Sequence, residues 1–136
     1  MADELRAALE AVNGASAFNQ LAGVQIEFVE PGRVAIAIGG APQLLNHAGA
    51  LHAGVQSALL DTACGYAAGS MAGNVVTVQL GLQFISSAKG ERFIARAEIS
   101  KAGRSQIFAQ ASLLAVRDGA EVLVASATAV LAKVGG

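Results

Sequence analysis

Residues 46–61 read NHAGALHAGVQSALLD, and the interpretation of the whole chain depends on this stretch. From His52 to Ser70 the sequence has no proline and consists mostly of small and apolar residues, so it predicts a long helix. A helix that is apolar on nearly all sides is typical of a buried core element. Asp61 lies in the middle of it. An ionised carboxylate in apolar surroundings is costly unless it has a partner, so Asp61 indicates either catalysis or a buried hydrogen-bond network.

Helical spacing distributes small and bulky residues unequally around Asp61. Small residues share its stripe, at about 100° per residue: Gly54, Ser57, Ala58, Cys64, Gly65 and Ala68. The opposite side carries the bulkier Val55, Leu59 and Tyr66. The pattern predicts one side that fills a core and another that leaves room for a ligand or a close neighbour.

The predicted helix start is a second candidate for chemistry. Ala53 and Gly54 should present unpaired backbone N–H groups at the positive end of the helix dipole, which suits an oxyanion. Asn46 and His52 add polar side chains beside it, although a turn residue and a helix-starting histidine explain them equally well. Eight residues of helix separate Ala53 from Asp61 by roughly 12 Å. A base must lie within about 3 Å of its proton, so a shared site requires an antiparallel helix from a second subunit.

The remaining sequence predicts an α+β fold in which one antiparallel sheet wraps around the His52–Ser70 helix. A helix over about Ala2–Asn13 and a turn over Phe18–Leu21 precede a hairpin of Val24–Val29 and Val34–Ile38, and a loop covers Gly39–Leu51. Four longer strands follow, over Val75–Ile85, Arg92–Ser100, Ser105–Val116 and Glu121–Lys133. Alanine recurs along the last three, which favours close approach of a helix to the sheet.

Composition limits the classes of function. The chain has 136 residues, a net charge of −1 and 54% hydrophobic residues, which predicts a single domain over residues 1–136. It has no basic patch for nucleic acid, no uninterrupted membrane span and no metal-ligand set around His47 and His52. One cysteine, Cys64, and a charged N-terminus indicate a cytoplasmic protein. Low surface charge on so apolar a chain favours burial against another subunit.

With these residues in view, the chain resembles a hotdog-fold acyl-CoA thioesterase of the PaaI-like, phenylacetate-pathway type. The motif is Asn46-x-x-Gly49-x-x-His52-x-Gly54, then six residues, then Asp61, followed by a strand containing Thr77. The resemblance covers nearly the whole chain. One difference is that the family usually has His-Gly-Gly where this chain has His52-Ala53-Gly54; alanine keeps the backbone N–H, but its methyl group bears on substrate size.

The resemblance implies a role for each motif residue. Asp61 would be the general base that activates water, or a nucleophile that forms an anhydride. Ala53 N–H and Asn46 would polarise the thioester carbonyl, while His52 would lie near the leaving sulfur or orient Asn46. Thr77 would help to hold the water. Coenzyme A would be bound, as part of the substrate, by a further set: Gly54, Ser86, Lys89, Lys101, Gly103, Arg104 and Ser105.

The resemblance also implies no metal or organic cofactor, and an assembly that is at least a homodimer and typically a homotetramer. Two other classes remain open from the sequence. A hotdog dehydratase also uses a histidine and an acid across a dimer interface, and an acyl-CoA-binding hotdog protein without catalysis shares the fold. The combination of Asp61 with Asn46 and the helix-start His52 favours hydrolysis over dehydration, and the presence of Asp61 argues against a protein that only binds acyl-CoA.

Overall fold

A computed structural model describes residues 2–135 of the protein. Within these residues, three α-helices and six strands follow one another. The first half contains α1 (Ala2–Ala15), α2 (Ala17–Ala22), β1 (Gln25–Glu30), β2 (Arg33–Gly39), a single 3₁₀ turn (Pro42–Leu44) and α3 (Ala53–Ala72). The second half contains only strands: β3 (Val75–Phe84), β4 (Arg92–Ala102), β5 (Gln106–Arg117) and β6 (Ala120–Lys133).

The strands form one antiparallel sheet in the order β1-β2-β4-β5-β6-β3. Strands β4, β5 and β6 are joined by short turns and lie next to one another, whereas β3 pairs with β6 and ends the sheet. Register shifts interrupt the pairing in four of the five strand pairs, for example between Thr77 and Gln79 in β3. Such bulges bend a strand and increase its twist, which lets long strands curve around a helix.

Helix α3 packs on the inner face of this sheet. Its core-facing side chains are fully buried, among them Leu59, Leu60 and Ala63, and they meet buried alanines of β4, β5 and β6 such as Ala95. A methyl side chain on the sheet allows the helix backbone to come close. Among residues 2–135 there is no helix long and apolar enough to span a membrane. The predicted α+β architecture, a sheet wrapped around one long central helix, is confirmed.

Element boundaries differ from the prediction by one to two residues, and one expectation about α3 is wrong. The prediction enclosed Asp61 among small apolar residues, but its side chain is only partly buried and faces an open groove. Of the small residues predicted to share its stripe, Cys64 and Ala68 lie in the core instead. Burial raises the pKa of the Cys64 thiol to about 12, so this cysteine is a neutral core side chain near neutral pH.

Candidate active site

Asp61 and Thr77 form the acidic part of the candidate site. Thr77 Oγ1 donates a hydrogen bond of 2.6 Å to Asp61 Oδ1 and so connects the middle of α3 to β3. This length is typical of a hydroxyl that donates to an ionised carboxylate. Thr77 lies beside the bulge of β3, on the edge strand. The contact fixes one oxygen of the carboxylate and leaves the other available for a water molecule.

The Asp61 side chain opens onto a cavity of about 560 Å³ between α1, α2, α3 and the start of β3, which we call the α1–α3 groove. On α3 it is lined by Ala58, Asp61, Thr62, Gly65, Tyr66 and Gly69, so Tyr66, which was predicted on the opposite side of the helix, also reaches it. Ligand sites typically have volumes of about 300–1,000 Å³. The open side of α3 predicted from the sequence therefore exists, although fewer small residues line it than the helical stripe suggested.

The start of α3 is capped by its own histidine. His52 Nδ1 accepts a hydrogen bond of 2.8 Å from Gly54 N–H, so the prediction that this N–H is unpaired is wrong. A Cβ atom at Gly54 would lie 3.0 Å from that nitrogen, which explains why glycine suits this position. A neutral imidazole that accepts through Nδ1 carries its proton on Nε2. Within residues 2–135 nothing accepts a hydrogen bond from Ala53 N–H, so this donor remains for a ligand.

Asn46 organises the loop in front of α3. Its Oδ1 accepts hydrogen bonds from Ala48 N–H at 2.9 Å and Ala50 N–H at 3.1 Å, and Gly49 turns the chain with φ of +78°. Because two backbone donors hold Oδ1, the orientation of the amide is fixed. The Nδ2 group is then the part of Asn46 that is left to donate to a ligand.

The two halves of the candidate site do not meet within one protomer. Asp61 and Thr77 lie together at the middle of α3, while Asn46, His52 and Ala53 lie at its start. Eight residues of helix separate Ala53 from Asp61 by roughly 12 Å. One protomer therefore does not place its Asp61 carboxylate beside the Ala53 N–H and the Asn46 amide at the start of α3.

The residues implied in binding coenzyme A fall into two groups as well. Ala88 O accepts a hydrogen bond of 2.8 Å from Leu51 N–H, so the segment 86–89, with Ser86 and Lys89, lies against the start of α3. The turn with Lys101, Gly103, Arg104 and Ser105 lies at the other end of β4, whose eleven residues span roughly 35 Å. Segment 86–89 therefore lies at the end of the molecule that contains the start of α3. The turn lies at the end of the sheet where β3 begins, and β3 carries Thr77.

Arg117, which the sequence did not single out, contacts one of these two groups. Its guanidinium donates hydrogen bonds to the carbonyl oxygens of Ser87 and Lys89 and so holds the segment 86–89 against the end of β5. Ser86 Oγ contributes a third contact, of 2.8 Å, to Leu123 O. Nothing in the local sequence marks Arg117, because its partners are backbone carbonyls that lie 28 and 30 residues away.

A larger cavity, of about 1100 Å³, lies on the face of the sheet opposite α3. It is lined by charges that pair with each other, such as Arg96 with Glu121 at 2.7 and 2.8 Å. None of the catalytic candidates lies in it. No group of three His, Cys, Asp or Glu side chains in residues 2–135 is arranged to hold a metal ion.

The sequence matches a known protein family and a protein of that kind from another organism. The profile of the thioesterase superfamily matches residues 48–121, more than half of the chain. A Halobacterium salinarum protein provisionally named an esterase is 31% identical over 107 residues, which cover 73% of this chain and 70% of that protein.

Solved structures agree. A thioesterase family protein from Silicibacter pomeroyi superposes with a TM-score of 0.92 at 37% identity, over 96% of this chain and 99% of that one. The E. coli PaaI protein from the phenylacetic acid degradation operon superposes with a TM-score of 0.89 over 99% of this chain and 96% of that one. Its 20% identity shows a common fold and no more. The predicted hotdog fold is confirmed.

Proposed function

The chain belongs to the thioesterase superfamily, and from this premise we propose that it hydrolyses acyl-CoA thioesters to a free acid and coenzyme A at sites built from two subunits. Family membership supports a hydrolase that acts on thioesters. One observation carries the finer proposal: an Asp61 carboxylate that is bound on one oxygen by Thr77 and opens onto a cavity. A protein that only binds acyl-CoA has no need of a carboxylate so placed.

Asp61 acts as the general base in this proposal. A water molecule held by its free oxygen and by Thr77 attacks the thioester carbonyl carbon, and Asp61 takes the proton of that water. The carbon–sulfur bond then breaks, and the proton passes to the departing sulfur of coenzyme A. No metal ion or organic cofactor takes part in these steps.

The oxyanion of the tetrahedral intermediate is stabilised by Ala53 N–H and Asn46 Nδ2. Ala53 N–H lies at the positive end of α3, and the Asn46 amide is held by its two backbone donors. Preorganised donors of this kind act strongly because they need no reorganisation when charge develops. His52, with its proton on Nε2, donates a hydrogen bond to the leaving sulfur and keeps that proton.

These donors come from one subunit and Asp61 with Thr77 from the other. The edge strand β3 supplies a surface for such an assembly, because it ends the sheet with one side unpaired and carries the apolar side chains Val76 and Val78, which are 53% and 56% exposed. An exposed apolar edge strand tends to pair with another chain. Pairing of two β3 strands across a two-fold axis extends the sheet and brings two α3 helices together in antiparallel orientation. We propose a homodimer as the minimal unit and a homotetramer as its further assembly.

Release of free thiol from a panel of acyl-CoA thioesters tests the reaction. The panel should contain acetyl, medium-chain and phenylacetyl thioesters, and a dehydratase control substrate, a 3-hydroxyacyl-CoA, should be followed for loss of water. We expect hydrolysis of at least one thioester in buffer that contains a metal chelator. Binding of every acyl-CoA without thiol release would instead support a binding protein.

Mixing of two inactive variants tests the shared site. Asn46→Ala and Asp61→Asn subunits that are unfolded and refolded together should form heterodimers in which one site carries both changes and the other carries neither. About half of the dimers are then mixed, so activity should recover to about a quarter of the wild-type value. Native mass spectrometry of the same sample checks that heterodimers have formed. If they form and the mixture stays inactive, the site is not shared.

Arg117 provides a test of coenzyme A binding. Arg117→Gln removes the guanidinium that holds the segment 86–89, so this segment must be ordered when the nucleotide binds. We expect KM for an acyl-CoA to rise by about tenfold, with little change in kcat. Hydrolysis of the matching S-acyl-N-acetylcysteamine, which lacks the nucleotide, should be unchanged. Arg96→Gln, which breaks an ion pair on the other face of the sheet, is the control. Equal losses on both substrates would show that Arg117 supports the fold and not coenzyme A binding.

A further inference from the structure

Gln56 places a buried amide on a helix whose buried side is mainly apolar. Most of the buried positions of α3 carry apolar side chains such as Leu59 and Leu60. Gln56 is 6% exposed, and its Nε2 donates a hydrogen bond of 2.8 Å to Leu51 O, a carbonyl that lies two residues before the helix begins. Burying an amide is unfavourable unless hydrogen bonds compensate for the lost water, so this bond is the first clue to what Gln56 does.

Only one side of the Gln56 amide has a partner. Leu51 O is an acceptor, so the amide atom that faces it must be the nitrogen. The oxygen, Oε1, then lies on the other side, where no donor in the described part of the chain reaches it. An unpaired buried acceptor lowers the stability of a fold, and an apolar side chain of similar volume avoids it. Stability of the protomer therefore does not account for a glutamine at this position, and a functional reason is expected.

Gln56 holds both peptide groups that flank His52. Its backbone N–H donates to His52 O at 3.0 Å, and this carbonyl shares its peptide plane with Ala53 N–H. Its side chain holds Leu51 O, which shares its plane with His52 N–H, and that N–H donates to Leu44 O at 3.0 Å. Because both planes are held, the direction of Ala53 N–H and the position of the imidazole are fixed.

The Leu51 carbonyl also adjoins the loop that carries Asn46. The residue before it, Ala50, exchanges two hydrogen bonds with Asn46: Ala50 N–H donates to Asn46 Oδ1 at 3.1 Å, and Asn46 N–H donates to Ala50 O at 2.7 Å. Leu51 itself is fully buried. Both proposed oxyanion donors, Ala53 N–H and Asn46 Nδ2, therefore depend on where Leu51 is held.

We propose that Gln56 is a positioning residue for the thioester reaction. Its hold on Leu51 O keeps the two oxyanion donors, Ala53 N–H and Asn46 Nδ2, in the orientation that the transition state requires. The proposal rests on the proposed function, because the orientation of these donors affects the rate only if an oxyanion forms beside them. Gln56 acts through Leu51 and contacts no substrate, since its side chain is buried within the protomer. Small displacements of preorganised groups can lower a rate by one to two orders of magnitude.

Replacement of Gln56 by methionine tests this role. Methionine has a similar length and volume and suits a buried position, but it donates no hydrogen bond. It removes the unpaired Oε1 and leaves Leu51 O unpaired instead, so the melting temperature should stay within a few degrees of the wild type. We expect kcat to fall by about tenfold on an acyl-CoA and on the matching S-acyl-N-acetylcysteamine alike, with KM changed by less than about twofold.

Gln110→Met is the matched control. It replaces the same type of residue on the face of the sheet opposite α3, where Gln110 Nε2 donates to Glu98 Oε1 at 2.7 Å. Its kcat should equal that of the wild type. A rise in KM for the acyl-CoA alone in Gln56→Met, which is the pattern expected of Arg117→Gln, would overturn the proposal, because it would show an effect on coenzyme A binding and not on the oxyanion donors.

Hydrogen exchange of single amides, followed by NMR, reads the positioning without the reaction. In Gln56→Met the His52 N–H should exchange about tenfold faster or more, because the peptide group that contains it has lost its other anchor. Gly73 N–H, which bonds to Gly69 O at the far end of α3, should exchange at the wild-type rate.

The outcomes separate this proposal from the proposed reaction. Unchanged exchange of His52 N–H, or unchanged kcat in an active enzyme, would overturn the positioning role. If neither Gln56→Met nor Gln56→Leu folds, Gln56 serves the fold and the proposal is wrong. Faster exchange at His52 in a protein whose wild type hydrolyses no thioester would overturn the proposed reaction, while the hold of Gln56 on the helix start would stand.

Discussion

Replacement of Asp61 by asparagine is expected to lower kcat by about 100-fold or more on the best thioester substrate. The amide keeps the shape of the carboxylate and still accepts the hydrogen bond from Thr77 Oγ1, so the junction between α3 and β3 should survive. What is lost is the ability to take a proton from water. Because the side chain is only partly buried, the substitution should leave the melting temperature within a few degrees of the wild type. The measurement is steady-state kinetics, combined with thermal unfolding.

Asp118→Asn is the matched control for this prediction. Asp118 lies in the exposed turn between β5 and β6 with φ of +50°, a conformation that asparagine tolerates well. The control removes the same charge from the same type of residue in a turn at the start of β6, whereas Thr77 pairs with Leu131 near the end of that strand, so its kcat should be unchanged. If Asp61→Asn retains the wild-type rate, Asp61 has a structural role and the mechanism proposed here is wrong.

The fold could be predicted because its signals are local in the sequence. Periodicity predicts the strands, and the uninterrupted apolar run after His52 predicts α3. Boundaries moved by one or two residues because hydrogen bonds decide the ends, as where Gly73 N–H bonds to Gly69 O at 3.0 Å. The extra helical segment α2 is longer than the predicted turn because Ser16 accepts a hydrogen bond from Asn19 N–H and Gly23 ends the helix with φ of +75°.

The candidate site could be predicted only in part, because its geometry depends on contacts between distant segments. The spacing from Asn46 to Asp61 singled out the acid and the helix start, and the resemblance singled out Thr77, which the structure places against Asp61. The capping of Gly54 N–H by His52 was missed, because helix-start donors are often free and only the imidazole orientation shows otherwise. Arg117 and the α1 wall of the groove were missed for a related reason. Their partners lie far along the chain, and no pattern of spacing records such contacts.

The oxyanion site carries the last prediction, because Asn46 has two roles that different substitutions separate. Asn46→Asp keeps Oδ1 as acceptor for Ala48 and Ala50 N–H, removes the Nδ2 donor and adds a negative charge beside the developing oxyanion. The loop should therefore hold, while kcat should fall by a factor that corresponds to the loss of about 2–4 kcal/mol of transition-state stabilisation or more. Asn46→Ala removes the acceptor too and leaves two loop donors unpaired, so it should also lower the free energy of unfolding by about 1–2 kcal/mol. His47→Ala, at the exposed neighbouring position, is the control and should change neither kcat nor the free energy of unfolding.

Steady-state kinetics over a range of substrate concentrations give kcat and KM of each variant, and denaturant unfolding gives its free energy of unfolding. A rise in KM at constant kcat for Asn46→Asp would mean that the amide binds the substrate without stabilising the transition state. Loss of stability without loss of kcat in Asn46→Ala would reduce Asn46 to a loop residue, because a donor to the developing oxyanion must act on the rate.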